Sequence, residues 1–151
     1  MRAINHALAG AVIGTMITIP VVAIPVAFVS HFALDTFPHF GIDQKTDIKQ
    51  PWFQKLLFLD VILCLALVGV LAVHHTNGWL LASVCAFVAA SPDFASIPRF
   101  YRMKLHGNIS RKTNSSFIKF HDEIQNEKPS GAVIELLWLP AMVFLLVQLT
   151  R

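Results

Sequence analysis

The sequence has few charged residues. Only 14% of its 151 residues are Asp, Glu, Lys or Arg, while 55% are hydrophobic, and a typical soluble domain carries about 25% charge. Four stretches contain no Asp, Glu, Lys or Arg at all: residues 7–30, 61–73, 78–92 and 136–150. Such runs approach the roughly 20 apolar residues with which a helix crosses a bilayer. A domain solvated on all sides is therefore excluded, and a single helical membrane domain over residues 1–151 is predicted.

Several signatures of soluble enzymes and of zinc fingers are also missing. There is no CxxC pair, and Cys64 and Cys85 both lie inside apolar runs, where they are interpreted as small core residues. A GxSxG nucleophile motif, a Walker loop and an HExxH motif are absent as well. The net charge is +3, but no basic face with interleaved aromatic residues accompanies it, so nucleic acid is not expected as a partner.

Prolines and lengths divide the apolar sequence into five helices. One helix over residues 3–36 would be roughly 50 Å long, well beyond the hydrocarbon core of about 30 Å. Pro20 is therefore expected to begin a second helix, because proline is tolerated in a first turn and disfavoured inside a helix. The predicted fold is an all-α integral membrane protein with two antiparallel hairpins, a C-terminal span and a polar loop: helices at about 3–18, 20–37, 53–74, 79–92 and 131–149, and the loop at about 94–130. The alternative is one long kinked helix over the first 36 residues.

Two further patterns support this arrangement. Gly10 and Gly14 form a stripe of small residues that allows a neighbouring helix to approach closely. Eleven of the twelve Lys and Arg residues fall on one side of the predicted topology, and only Arg151 falls on the other. The positive-inside rule then predicts that this side, with the long loop, faces the cytoplasm.

Ionisable residues gather at the same side. His31 and Asp35 are one helical turn apart and so share a helix face. Imidazole and carboxylate are both metal ligands, and a mixed set suits zinc, with manganese or iron as alternatives. The hairpins bring other donors to this level, which gives five predicted ligands: His6, His31, Asp35, Asp93 and His121. The simpler interpretation is a His–Asp hydrogen bond that ends a helix, with Asp93 as a cap.

Other residues are predicted to assist such a site. Glu123, Asp60 and Glu135 are candidate general bases or orienting groups. Ionisable groups within apolar spans are costly and commonly functional, which favours a role for Asp60 and Glu135, although pairing with Lys55 or Arg99 is the alternative. The basic loop is suited to anionic headgroups or phosphate. The predicted substrate contacts are Arg99, Arg102 and His39.

Short motifs in these segments resemble a known family. The sequence Asn5-His6-Ala7-Leu8-Ala9-Gly10 resembles the opening (T/N)HxxxG motif of the small bacterial membrane-bound metal-dependent hydrolases of the YdjM type, and Ser91-Pro92-Asp93 resembles their LPD segment. The HxxxD pattern of His31 and Asp35, followed by Pro38-His39, is similar to the core of zinc-dependent phospholipases C. The HRGxTHS element of the family is absent, and Phe120-His121-Asp122-Glu123 is the nearest segment. The resemblance implies metal-dependent hydrolysis in a bacterial cytoplasmic membrane.

Two functions are compatible with these features. The first is a hydrolase that acts on phosphoester bonds of membrane lipids or lipid-linked compounds at the cytoplasmic interface. The second is a non-catalytic membrane module that binds or transports a metal or mediates an interaction. A transporter is expected to place ionisable groups near the bilayer midplane, whereas here they crowd one boundary, which favours the enzyme.

Overall fold

The chain folds into helices in a computed structural model, which describes residues 1–41, 51–74, 78–98, 101 and 115–151. Within these residues there is no strand, and His39 and Glu127 form an isolated bridge. The predicted all-α class is therefore confirmed. The main elements are α1 (Ala3–Met16), α2 (Pro20–Asp35), α3 (Pro51–Val73), α4 (Trp79–Ala90), a 3-10 helix (Ser91–Ser96), α5 (Ser116–Ile124) and α6 (Gly131–Thr150).

The predicted break before Pro20 is present. Helix α1 ends at Met16, and Pro20 occupies the first turn of α2, where its missing N–H group leaves no hydrogen bond unmade. The two helices form a hairpin. Nε2 of His6, near the start of α1, lies 3.2 Å from Oδ1 of Asp35 at the end of α2. The alternative of one continuous helix is wrong.

Helix α1 is the central element of the bundle. It packs against α2, α3, α4 and α6, and nearly all of its first ten residues are buried. Its closest neighbour is α4: a Cβ atom added to Gly10 would lie 2.3 Å from the carbonyl oxygen of Cys85, and one added to Gly14 would lie 2.7 Å from the Cα atom of Ala82. The predicted stripe of small residues therefore lets the backbones of α1 and α4 meet.

The helices differ in length. Gln54–Val73 within α3 and Gly131–Thr150 are long and apolar enough to cross a membrane. Helices α1, α2 and α4 have 14, 16 and 12 residues, which corresponds to about 18–24 Å and is shorter than a hydrocarbon core of about 30 Å. Within the described residues, the five predicted helices exist, but two of them have the length of a full span.

The segment predicted as a polar loop contains a helix. Helix α5 begins after Ser115, whose hydroxyl oxygen accepts a hydrogen bond from the N–H group of Ile118 at 3.4 Å, as is typical of a helix N-cap. It packs on α2 and on the 3-10 helix. The polar composition of the segment did not indicate this helix, in which His121 is buried. Arg99 and Arg102 lie outside the described residues.

Candidate metal centre

Helix α2 supplies two of the side chains. His31 and Asp35 are fully buried, and the Nε2 atom of His31 lies 3.1 Å from Oδ2 of Asp35. The Nδ1 atom of His31 lies 2.8 Å from the carbonyl oxygen of Ala89 in α4. Because a carbonyl oxygen can only accept a hydrogen bond, Nδ1 carries the hydrogen and is the donor. In a neutral ring the lone pair is then on Nε2, which can bind a metal. Histidine ligands of metals are commonly fixed in this way.

Helix α5 brings His121 to the same point. Its Nε2 atom lies 2.9 Å from Nε2 of His31 and 3.2 Å from Oδ2 of Asp35. The helix is held there by aromatic contacts, since the ring of Phe32 lies 6.0 Å from that of Phe117 and 5.6 Å from that of Phe120, centroid to centroid. The prediction that His121 arrives from the long segment is confirmed in position, although a helix carries it.

The 3-10 helix supplies Asp93. Its Oδ1 atom lies 3.8 Å from Nε2 of His31 and 3.6 Å from Nε2 of His121. The side chain is 28% exposed, whereas the other three side chains are at most 2% exposed. Burial raises the pKa of Asp93 because it disfavours the charged carboxylate. Asp93 is thus the member of the group that solvent reaches.

These four side chains fit a metal ion. One donor atom from each of His31, Asp35, Asp93 and His121 lies within 4.8 Å of all the others. Tetrahedral ligands with bonds of 2.0–2.1 Å are separated by about 3.4 Å, and the separations of 2.9–3.8 Å bracket this value. Two ring nitrogens 2.9 Å apart need a proton or a cation between them, and the buried Oδ2 atom of Asp35 has no hydrogen-bond partner.

His6 lies beside this group, against the other carboxylate oxygen. Its Nε2 atom is 3.2 Å from Oδ1 of Asp35, and its ring stacks on that of His31 with centroids 4.0 Å apart. The α-amino group of Met1 also lies 2.5 Å from Oδ1. The structure thus brings His6 to the centre as predicted, but in contact with Oδ1 of Asp35 rather than among the four converging donors.

The predicted catalytic carboxylates lie elsewhere. Asp60 and Glu135 accept hydrogen bonds from backbone N–H groups at the start of α1. Glu123 is exposed on α5, two residues beyond the buried His121. The four-donor group does not include these three carboxylates.

His39, predicted to contact substrate, is buried in the segment after α2. Its backbone N–H group donates to Asn126 at 3.1 Å, and Asn126 in turn donates its own N–H to the carbonyl oxygen of Asp35 at 3.0 Å. Nδ1 lies 2.9 Å from the carbonyl oxygen of Phe37, while Nε2 has no hydrogen-bond partner. Burial, followed by the charge of the Met1 amino group, lowers the pKa of His39, so the ring is neutral near pH 7.

Two parts of the centre had no signal in the sequence. The carbonyl oxygen of Ala89 orients His31, and any residue type at position 89 would offer a carbonyl. Asn126 connects the ends of α2 and α5 through backbone groups. Contacts of this kind depend on where helices cross and leave no pattern in residue types.

No protein-family model, curated protein or solved structure matches the chain. The similarity to YdjM-type hydrolases stays a prediction that depends on the short motifs around His6 and Asp93, and the similarity to zinc-dependent phospholipases C stays one that depends on the HxxxD pattern of His31 and Asp35.

Proposed function

We propose that the chain is a membrane-embedded, metal-dependent hydrolase that acts on phosphoester bonds of lipids or lipid-linked compounds. Zinc is the proposed metal, with manganese or iron as alternatives, because the donors are a mixture of imidazole and carboxylate. The observation that carries the proposal is the convergence of Nε2 of His31, Nε2 of His121 and Oδ2 of Asp35 within 3.2 Å of one another. Asp93 completes the group on its more exposed side.

Zinc bound by these residues would lower the pKa of a coordinated water towards neutrality and polarise a phosphoryl oxygen. His31 is oriented for this role by Ala89, and His121 by its packing through α5. Asp93 is placed 3.6–3.8 Å from the two imidazoles and is partly exposed. Because Asp93 would itself hold the metal, the proton of an attacking water would go to Glu123, which is exposed on α5 two residues from His121, or to a neighbouring carboxylate.

A lipid substrate is supported by the surface around the centre. Helices α3 and α6 have the length and composition of membrane spans. Near the metal group, Phe94, Phe117 and Phe120 are 43%, 38% and 50% exposed. Exposed apolar side chains that lie together mark contacts with a membrane, a partner or a ligand. We propose that this side faces the cytoplasmic leaflet of a bacterial membrane, with Arg99 and Arg102 available to anionic headgroups.

The hydrolase proposal can be tested with detergent-purified, zinc-loaded protein. We expect turnover of a phosphodiester, measured first with bis(p-nitrophenyl) phosphate and then with phospholipid in mixed micelles. His31→Ala and His121→Ala should each lower the rate at least about 100-fold, because loss of a ligand should cost no less than the roughly 10–100-fold typical of losing a group that orients it. His74→Ala, at an exposed histidine outside the centre, is the matched control and should retain the wild-type rate. A zinc-loaded wild type without turnover on either substrate would contradict hydrolysis.

A second function, metal binding or transport without catalysis, is favoured by one observation. All four donors come from the protein, and three of them are buried, whereas catalytic zinc sites usually keep one position open for water. Stoichiometric zinc together with the absence of turnover would support this function over the hydrolase.

His39→Asn tests the predicted contact with substrate. The asparagine amide can still donate to the carbonyl oxygen of Phe37, but the variant lacks Nε2. Because Nδ1 donates to Phe37, Nε2 of the neutral ring can only accept, so its partner would be a hydroxyl group of the substrate. We expect KM to rise about fivefold, which corresponds to one lost hydrogen bond of about 1 kcal/mol, while the zinc content stays at the wild-type level. Steady-state kinetics and elemental analysis of the same samples provide both values. An unchanged KM would argue against the contact.

A further inference from the structure

The N-terminus of α1 has no cap of its own. Arg2 stands at the N-cap position without a capping side chain, and the first turn contains no acidic residue. The first N–H groups of a helix lack partners within the helix. Here the N–H group of Arg2 donates to Oε1 of Glu135 at 3.1 Å, and those of Ala3 and Ile4 donate to the two oxygens of Asp60 at 3.0 and 3.4 Å.

The two carboxylates come from the two longest apolar helices. Asp60 in α3 and Glu135 in α6 are 6% and 8% exposed. Asp60 is the only acidic residue of α3, and Glu135 is the only charged residue of α6. A buried carboxylate is costly unless it is hydrogen-bonded. The N-terminus of a helix compensates this cost, since its N–H groups and dipole favour negative charge. The side chain of Arg2 adds a cation, with Nε 3.7 Å from Oδ1 of Asp60.

The clamp formed by Asp60 and Glu135 acts on the helix that carries His6. His6 lies one turn beyond the clamped N–H groups and is fully buried, where it contacts Oδ1 of Asp35 at 3.2 Å. A shift or rotation of α1 would therefore move His6 relative to Asp35. Oδ2 of the same carboxylate faces the imidazoles of His31 and His121, so the orientation of Asp35 determines which oxygen is presented to a cation.

We infer that Asp60 and Glu135 are positioning residues, which set the depth and rotation of α1 so that His6 orients Asp35 for metal binding. The inference rests on the metal centre of the proposed function. It assigns the two carboxylates a role through α1 instead of proton transfer to substrate. Both oxygens of Asp60 already accept backbone N–H groups, which explains why a carboxylate is needed there.

A double-mutant cycle on zinc affinity tests this inference. The dissociation constant would be measured by competition with a chromophoric chelator for the wild type, Asp60→Asn, His6→Ala and the double variant. We expect Asp60→Asn to weaken zinc binding about 10–100-fold, the range for groups that orient a ligand. In the His6→Ala background, Asp60→Asn should cause little further loss, because the coupling acts through His6. Glu135→Gln gives a second cycle should Asp60→Asn not fold.

Leu71→Ala is the matched control for a general loss of stability. Leu71 is a buried core residue of the same helix as Asp60, so its truncation should lower the unfolding temperature and leave the zinc affinity unchanged. If Asp60→Asn and Glu135→Gln both bound zinc as tightly as the wild type, the inference would be overturned, while the proposed function would stand. Equal losses in the presence and absence of His6 would do the same, since the effect would then not pass through His6. A wild type that binds no zinc would overturn both the inference and the proposed function.

Discussion

Replacing Asp35 with asparagine is expected to remove bound zinc from the purified protein. Asp35 contributes Oδ2 to the converging donors and Oδ1 to the contacts with His6 and the Met1 amino group. The amide keeps the size of the side chain but loses the negative charge and one acceptor oxygen. With this charge removed, two imidazoles and the carboxylate of Asp93 remain. We expect the affinity for zinc to fall at least about 100-fold, the upper end of the loss caused by removing a group that only orients a ligand. Elemental analysis after dialysis against a weak chelator measures the retained metal.

Glu123→Gln is the matched control for this substitution. It also converts a carboxylate to an amide, and it lies on α5 close in sequence to His121 but on the exposed surface. We expect this variant to retain one zinc ion per chain. If the Asp35 variant kept as much zinc as Glu123→Gln, the four-donor centre would be ruled out as the place where the metal binds.

Gly10→Ala is expected to destabilise the fold and weaken the metal centre together. The added Cβ would lie 2.3 Å from the carbonyl oxygen of Cys85 and 2.7 Å from the Cβ of Ala89. Because the obstacle is backbone, α1 and α4 must move apart, and we expect a loss of about 3 kcal/mol, the upper part of the range for overpacking. The same movement displaces the carbonyl oxygen of Ala89 that holds His31. Thermal unfolding in detergent and zinc titration measure the two effects.

Gly69→Ala provides the control for helix propensity. Gly69 lies in α3, and a Cβ added there meets no atom within 4 Å. Alanine is favoured over glycine inside a helix by about 0.5–1 kcal/mol, so this variant should be as stable as the wild type or slightly more so. An equal unfolding temperature for Gly10→Ala and Gly69→Ala would contradict the close contact between α1 and α4.

Local chemistry made part of the centre predictable. The spacing of His31 and Asp35 places both on one face of any helix, and the structure confirms their contact. Pro20 marked the break between α1 and α2, and the hairpin that follows from it brings His6 to Asp35. These predictions succeeded because each depends on the spacing within one helix or on the single short turn between two consecutive helices.

Predictions that required distant packing were less accurate. Asp60 and Glu135 were recognised as unusual because they interrupt apolar runs, yet their partners are N–H groups at the start of α1, a donor set that no residue pattern reveals. Helix α5 was interpreted as loop because its segment is polar, and its buried side became evident where it packs on α2 and the 3-10 helix. His6 was placed at the centre, but the oxygen of Asp35 that it contacts could not be predicted.

The sequence by itself determined the helical class, the breaks between the N-terminal helices and the residue types able to bind a metal, because periodicity, proline geometry and side-chain chemistry act locally. Only the tertiary structure decided which four donors converge, which histidine stands beside them and which carboxylates hold α1. These outcomes depend on the rotation and depth of each helix in the bundle. Contacts between backbone and side chains far apart in sequence set that rotation and depth, and a fraction of a helical turn separates one arrangement from another.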